Sequence, residues 1–563
     1  MGGIYMPVLK FRVERLKEVL PELPFRKLLE MLQRIKGEIE EVTNEYVEVE
    51  FEVDRPDLYT CEGIARYLKG LIGKELGAPK YELYSTPYRV YVEKVPTRPY
   101  IAAFVVENVR IDNTFFEELI QLQEKLHISL GGKRRRVAIG LHDLERLPSK
   151  TLYYRFVEVD AVRFKPLYTN ATMSLREVLT NTRQGREYGS ISLQNNMHPV
   201  LYAGNEVISV PPVINADITR VEPGTKHLLV DITGTDLRGV LDVAAVLATT
   251  LAERGGRRIG VVHIDYGDGK SIETPDLRPR ETHLEVSYVK HVLGIDIGVE
   301  EVVNLLRSTR FDVEVEESER LHVVVPRYRV DILHPIDLVE EIAIAIGYEK
   351  FEPRRPEKML RPMPSPIHTW EKFARFILAG YGFVEVMSFT LTSCREQELV
   401  CGLKRDEMVI LSNPVSIELN CLRSCMIHQL LEIASKNQDI IPLRLFELGE
   451  VVVISDTDTN VETRNRLALL IMDYKAGYED IQSYVYGLIR LMGDNILAVK
   501  QANHPALIKG RTAEIETKHG IVGVMGEVKP EILEKYGITY PIAVAELDYT
   551  NVVLRGSPTV PRP

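Results

Sequence analysis

Carboxylates gather in one stretch of the sequence, Val325-Pro-Arg-Tyr-Arg-Val-Asp-Ile332, continuing through Pro335-Ile-Asp-Leu-Val-Glu-Glu-Ile342 to Gly347-Tyr348. Pro335 and Asp337 stand where a helix would begin. Asp337, Glu340 and Glu341 then fall at i, i+3 and i+4 on one face of its first turn, with Asp331 just upstream. Leu338, Ile342, Ala345 and Ile346 make the opposite, apolar stripe. Four oxygen donors in so short a span suit a hard divalent cation, most simply magnesium, which keeps several waters and takes only part of its shell from carboxylates. The same spacing also starts a helix without any metal. Asp337 with Glu340 is a capping-box pattern, and acids in a first turn are favoured by the helix dipole.

Two further stretches carry polar chemistry. Gly131-Gly-Lys-Arg-Arg-Arg136 is the densest basic run, and Lys133, Arg134, Arg135 and Arg136 beside a glycine pair suit phosphate, although a charge run also serves as a solvated loop. Ser209-Val-Pro-Pro-Val-Ile-Asn-Ala-Asp217 and Leu228-Leu-Val-Asp-Ile-Thr-Gly-Thr-Asp236 place polar residues where apolar strands end, and ligands are commonly read there. Asp231, Thr233 and Thr235 alternate and so share a face if the strand continues, while Gly234 marks a bend. An Asx turn at Asp231 is the alternative use of the same residue.

The elements that must position these residues are legible in outline. A chain of 563 residues needs several cores. Composition and Pro-rich connectors divide it into a multidomain α+β protein with modules at about 1–90, 95–270, 275–353 and 360–563. The first module carries a helical pattern from Phe25 to Ile35, an alternating strand from Val47 to Val53, and an Arg55-Pro-Asp turn, with Asp57 placed to cap, before a helix from Gly63 to Ile72. The second is mixed, with strands such as 101–109 and 228–232 and a helix over 114–126. In the third, helices over 287–293 and 300–306, a hairpin over 311–315 and 321–325, and a last helix over 335–346 follow the order of winged-helix DNA binders; the acids on the last helix argue against DNA. The strap Phe351 to Pro366 is too rich in Pro for a regular element. The fourth module alternates helices with long strands: 369–379, 384–391, 408–411, 421–434, 443–454, 466–472 and 543–548.

The bulk numbers exclude several classes. No apolar run approaches the roughly 18 residues of a membrane span, and Met1 to Met6 lacks the regions of a signal peptide, with Met6 an alternative start. Five cysteines with no CxxC pair argue against a disulfide framework or zinc site and for a reducing cytoplasm. A net charge of −11 restricts nucleic-acid contact to local patches.

Val325-Pro-Arg-Tyr-Arg-Val-Asp-Ile332 with Asp337-Leu-Val-Glu-Glu-Ile342 resembles the signature of phenylalanyl-tRNA synthetase β subunits. So do Arg55-Pro-Asp57 with Gly63-Ile-Ala-Arg66, and Val137-Ala-Ile-Gly-Leu-His-Asp-Leu144 looks like the archaeal and eukaryotic branch. The resemblance implies a magnesium site of Asp331, Asp337, Glu340 and Glu341 shared with an α subunit, an (αβ)2 tetramer, and tRNA(Phe) as a partner. It also makes the second module an editing domain that hydrolyses tyrosine wrongly attached to that tRNA, with Asp231 against the tyrosine hydroxyl or the attacking water and Thr233 as a second contact. A pocket shaped for Phe rejects an added hydroxyl only about 100-fold, so a second site is useful. Leu411-Ser-Asn-Pro-Val-Ser416, Leu422-Arg-Ser424, Leu445-Phe-Glu-Leu-Gly449, His504-Pro, Gly510-Arg-Thr-Ala-Glu514 and Gly523-Val-Met-Gly-Glu-Val-Lys-Pro530 resemble a class II synthetase fold. No Arg-x-Glu follows Arg444 and no GxGxxxR lies near Gly526, so this module reads as a catalytically silent copy, with ATP used on the α subunit. The chain has no room for the oligonucleotide-binding insert or the anticodon-binding domain of bacterial β subunits. A freestanding editing hydrolase and a non-catalytic RNA-binding scaffold are the competing readings.

Overall fold

The computed structural model describes residues 7–550 except 268, 318 and 356–361; the Met1 to Met6 start, the centre of the Pro-rich strap and the tail after Thr550 lie outside the described residues. The chain divides into two compact units, Met1–Arg354 and Arg355–Pro563.

Within the first unit, strands Val8–Arg12, Tyr46–Glu50 and Glu38–Val42 form a small antiparallel sheet. Helices Phe25–Arg34 and Cys61–Leu71 belong to the same region. Thr60, not Asp57, caps the second helix, because Asp57 is engaged by Arg55 in the short 3-10 turn Pro56–Leu58. Gly63 sits where that turn crosses the helix, and a Cβ there would overlap the Asp57 carbonyl.

A ten-stranded mixed sheet follows. Its path runs Ile214–Asn215, Glu206–Val210, Met197–Ala203, Thr151–Glu158, Glu82–Val92, Arg258–Asp265, Tyr100–Val106, Leu228–Gly234 and Val137–Asp143, with Ser271–Thr274 added to Arg258–Asp265. Glu82–Val92 is parallel to both of its neighbours. Helix Leu237–Arg254 buries Val240, Val243, Ala244, Leu247, Ala248 and Leu251 in the core that also holds Phe104, Val106, Val230 and Ile232.

In the region that carries the acidic stretch, helices Val286–Leu293 and Val299–Ser308 precede strands Asp312–Glu317 and Arg320–Val325, and helix Pro335–Ile346 follows. The hairpin gains a third strand that periodicity did not reveal, Arg280–Glu285, which lies on the far side of Arg320–Val325.

The second unit is built on seven strands in the order Val384–Glu385, Leu443–Ile454, Val461–Met472, Ile542–Asp548, Gly520–Val528, Leu507–Thr517 and Ile496–Gln501, antiparallel except at the first pair. Leu467, Leu469 and Ile471 pack with helices Pro366–Gly380 and Tyr478–Leu491, while Ala468, Leu470 and Met472 pack with Ile427–Ser435. A strand covered on both faces reads as a continuous apolar run, which this one does. Three expectations fail here. Residues 408–411 form no strand, 386–390 leave the sheet after Glu385, and the helix expected from Cys421 begins at Ile427, because Cys421–Leu422 pairs with Leu391–Thr392. Cys401 and Cys425 are joined, a single link where the sequence argues against a disulfide framework. They lie 24 positions apart in sequence, and the packing of two helix ends brings them together.

Candidate functional site

The acids of the opening stretch are divided by the fold. Helix Pro335–Ile346 forms as its pattern predicts, with Asp337 capping: its Oδ2 accepts the N–H groups of Leu333 and His334, each at 2.7 Å. Glu340 is exposed and pairs with Lys36 at 2.7 Å. Glu341 turns the other way and is 3% exposed. Its carboxylate receives Arg329 Nη1 and Nη2 at 3.2 and 2.7 Å, Arg55 Nη1 at 3.3 Å and the Tyr67 hydroxyl at 2.6 Å. Asp331 takes Arg329 Nε and Nη2 at 2.9 and 2.6 Å. Arg55 closes the network on Asp57 with two bonds of 3.0 Å, lies over the Tyr67 ring, and neighbours Arg66, which donates to the Asp57 carbonyl. Burial would raise the Asp331 carboxyl, but the Arg329 guanidinium outweighs it and holds it down, at about 2.

This network unites the two motifs that the sequence kept 260 or more residues apart, since Arg55, Asp57 and Arg66 all meet Arg329, Asp331 or Glu341 or each other. Two guanidinium groups, Arg55 and Arg329, hold Asp57, Asp331 and Glu341 between them, so each of these carboxylates already has a cation of the chain as its partner. A magnesium ion needs oxygens about 2.1 Å from one centre. Among the described residues the four acids do not converge in that way; the one tight group of three possible ligands is Cys401, Cys425 and His428. The full four-acid set therefore does not fit magnesium in this chain, and Asp337 and Glu340 are the two that face outward.

Asp231 has a different setting. It lies mid-strand, paired with Ala103 on one side and Gly140 on the other, which excludes an Asx turn. Its carboxylate lines a cavity of 190 Å³ together with Gln123, Arg134, Ser209, Asn215 and Arg220. A cavity of about 150 Å³ already accepts benzene, so a phenol-sized ring has room. Asp231 Oδ1 lies 2.7 Å from His142 Nε2, and His142 Nδ1 lies 2.7 Å from the Thr219 hydroxyl. A carboxylate only accepts, so Nε2 carries a proton, and in the neutral ring Nδ1 accepts from the Thr219 hydroxyl. Gly140 makes room for this pair, since a Cβ there would overlap the Asp231 carboxylate. His142 and Gly140 were missed as functional residues; both stand in Val137-Ala-Ile-Gly-Leu-His-Asp-Leu144, and their i, i+2 spacing on a strand puts them on one face.

Thr233 does not reach the cavity. It is fully buried, and its Oγ1 accepts Arg98 Nε at 2.9 Å. Arg98 is itself buried, pairs with no carboxylate among the described residues, and donates to the carbonyls of Thr233, Arg134 and Arg135; burial pushes its pKa down to about 10.

The basic run is likewise divided. Arg134 lines the cavity, donating to the carbonyls of Pro212 and Val213 and to Glu124, and Arg136 pairs with Asp236 at 3.1 Å. Lys133 and Arg135 are exposed, and no ion pair among the described residues involves them.

Comparison with known proteins covers both units. Residues 352–549 match the phenylalanyl tRNA synthetase beta chain CLM domain, and residues 282–348 match the tRNA synthetase B5 domain. A phenylalanine–tRNA ligase beta subunit of Aeropyrum pernix is 43% identical over 96% of this chain and 98% of its own length. One from Saccharolobus solfataricus is 38% identical over 94% of this chain and 95% of its own. The crystal structure of an N-terminal fragment of the phenylalanyl-tRNA synthetase beta subunit from Pyrococcus horikoshii superposes with a TM-score of 0.58 at 33% identity, covering 61% of this chain and all of the fragment. With a mixed α/β architecture, both family motifs in one buried network and full-length similarity of this extent, the chain belongs to the family of phenylalanine–tRNA ligase β subunits.

Proposed function

We propose that this chain is the non-charging half of a cytoplasmic phenylalanine–tRNA ligase. An α subunit joins phenylalanine to tRNA(Phe) using ATP, two copies of each subunit form an (αβ)2 tetramer, and this chain removes tyrosine wrongly attached to the tRNA. The observation that carries the editing role is the Asp231 carboxylate at the wall of a 190 Å³ cavity, backed by His142. A phenolic O–H entering the cavity donates to Asp231, whereas phenylalanine leaves that buried acceptor unpaired. Sites built to bond a hydroxyl reject the analogue lacking it by about 10⁴-fold or more. Lys133 and Arg135, exposed in the loop whose Arg134 lines the cavity, suit the phosphates of the tRNA.

In the second unit, the antiparallel sheet fits a class II synthetase copy without its chemistry. Glu447 is consumed by Arg423 at 2.6 Å and by the Ser388 hydroxyl at 2.7 Å, so neither charged group is free for a nucleotide. Met387, Phe389 and Leu391, with Val415, Ile417 and Leu419, are exposed on two runs that lead into the same strand pair, a surface suited to an obligate partner. The helix, helix, hairpin, helix order of 286–346 supports the winged-helix reading, here turned to assembly. Asp337 and Glu340 are the acids that would meet a magnesium ion, with water and the α subunit completing its shell.

The test uses the assembled enzyme. Asp231→Ala keeps Phe-tRNA formation near wild type and lets Tyr-tRNA accumulate; undiminished deacylation of Tyr-tRNA removes Asp231 from the editing site.

A further inference from the structure

Four of the five cysteines fall between residues 394 and 425. Cys394 and Cys401 open and close one helix, and Cys421 and Cys425 precede helix Ile427–Ser435. Cys401 and Cys425 are joined with Cα atoms 6.6 Å apart, close to the upper limit of about 6.8 Å for disulfides. His428 is 2% exposed, and its Nδ1 faces Cys425 Sγ at 3.6 Å. Its Nε2 lies 2.8 Å from Thr392 Oγ1, so the ring is oriented by one nitrogen and presents the other to the sulfurs. When Nε2–H is donated to Thr392, Nδ1 turns a lone pair towards the sulfurs. Both sulfurs and Nδ1 lie within 4.8 Å of one another.

We infer that in the reduced chain Cys401, Cys425 and His428 form a site for a thiophilic divalent cation of the zinc class, and that the disulfide is the oxidised, metal-free state of the same clamp. Zinc takes thiolate at about 2.3 Å and imidazole at about 2.0–2.1 Å in a tetrahedron, which sets neighbouring ligands about 3.5 Å apart. His428 already stands at that separation from Cys425; only the two sulfurs must part. Thr392 is the outer partner that metal-bound imidazoles habitually have. Cys401 is half-buried, so water reaches the fourth position. Loading releases the two thiol protons to solvent. Oxidation by a low-molecular-weight disulfide instead transfers two electrons to it: one sulfur–sulfur bond forms between Cys401 and Cys425, the reagent's bond breaks, and it leaves as two thiols carrying the two protons. Cys394 and Cys421 stand apart from this chemistry, with Cys421 receiving Gln397 Nε2 at 3.1 Å.

The test is cobalt(II) titration of the chain assembled with its partner subunit, reduced with a phosphine and stripped by a chelator. The expected result is a thiolate-to-cobalt charge-transfer band that saturates at one more equivalent per chain in wild type than in Cys401→Ser. The band shifts in His428→Gln and is absent after oxidation with a low-molecular-weight disulfide. Elemental analysis of enzyme purified under reducing conditions gives a second readout, one zinc per chain above the Cys425→Ser variant. Identical cobalt spectra and zinc contents for wild type and both cysteine variants overturn the inference, as does a band that survives oxidation.

Discussion

Glu341 and Asp231 are both carboxylates buried to within a few per cent of their surface, both on regular elements, and they differ in the company they keep. Glu341 is met by two guanidinium groups and a phenol that together use both its oxygens. Asp231 has one imidazole on Oδ1 and a cavity beside it. An acid saturated by the protein's own cations holds modules together; an acid with one oriented partner and open space keeps capacity for a ligand. Burial and the sign of the charge do not separate these roles. The count of remaining acceptor sites does.

The contrast is broken most severely at Glu341. Glu341→Gln leaves Arg55 and Arg329 buried with one counter-ion fewer, and removing one member of a buried pair costs about 3–5 kcal/mol. Hydrogen exchange in helices Cys61–Leu71 and Pro335–Ile346 should accelerate together, since both ends of the network loosen. Unchanged protection in both would mean that the network contributes packing and no electrostatic hold.

Next in size is Gly140→Ala. Its new Cβ displaces the Asp231 carboxylate into the cavity, so the fold survives while Tyr-tRNA deacylation falls about 100-fold, equivalent to about 2.7 kcal/mol of barrier, and Phe charging is retained. A variant that deacylates normally would show that the Asp231–His142 geometry is not used.

Glu118 lies between the two extremes. It is buried beside Glu62, and the two share Arg15; burial first, then the Glu62 charge, raise its carboxyl to about 7. The folded state therefore holds this proton more tightly than the unfolded chain. Its stabilising contribution is full below pH about 4.5, declines as pH rises to about 7, and is absent above, each tenfold difference in proton affinity being worth about 1.4 kcal/mol. Thermal unfolding of Glu118→Gln should lack that decline, and identical pH profiles for variant and wild type would refute it.

The smallest effect belongs to Glu340, next in sequence to Glu341. Its exposed pair with Lys36 is worth about 0–1 kcal/mol, so Glu340→Gln should leave stability nearly unchanged. If it meets magnesium, the variant's assembly with the α subunit loses its sensitivity to EDTA while wild type keeps it; equal EDTA responses in the two would leave Glu340 with Lys36 alone.

Much of this was legible in the sequence. Helix Pro335–Ile346 follows from Pro335, Asp337 and the apolar stripe ending at Ile346, and the alternation of Asp231 with Thr233 placed both on one face of a real strand. The allocation of acids was not legible. Glu340 and Glu341 have the same chemistry at adjacent positions, and only the approach of Arg55 and Tyr67 from a distant module turns one inward. Thr233 failed for the same reason, because Arg98, just before the neighbouring strand Tyr100–Val106, claims it. His142 escaped notice because its partner Asp231 lies 89 residues further on. Spacing along one element reports faces; it does not report which cation arrives from elsewhere.

The Arg55–Glu341 contact spans 286 residues of chain, and that distance has a consequence for synthesis. At roughly 5–20 residues per second, the ribosome delivers Glu341 on the order of tens of seconds after Arg55. Throughout that interval the first module must keep a guanidinium out of trouble alone. Asp57, two residues away, is the neutraliser available from the start. The Arg-Pro-Asp turn is then a holding arrangement as well as a structural one: it keeps a charge paired on the nascent chain until its permanent counter-ion is made, so that the last helix of the unit docks onto a module whose socket is already set.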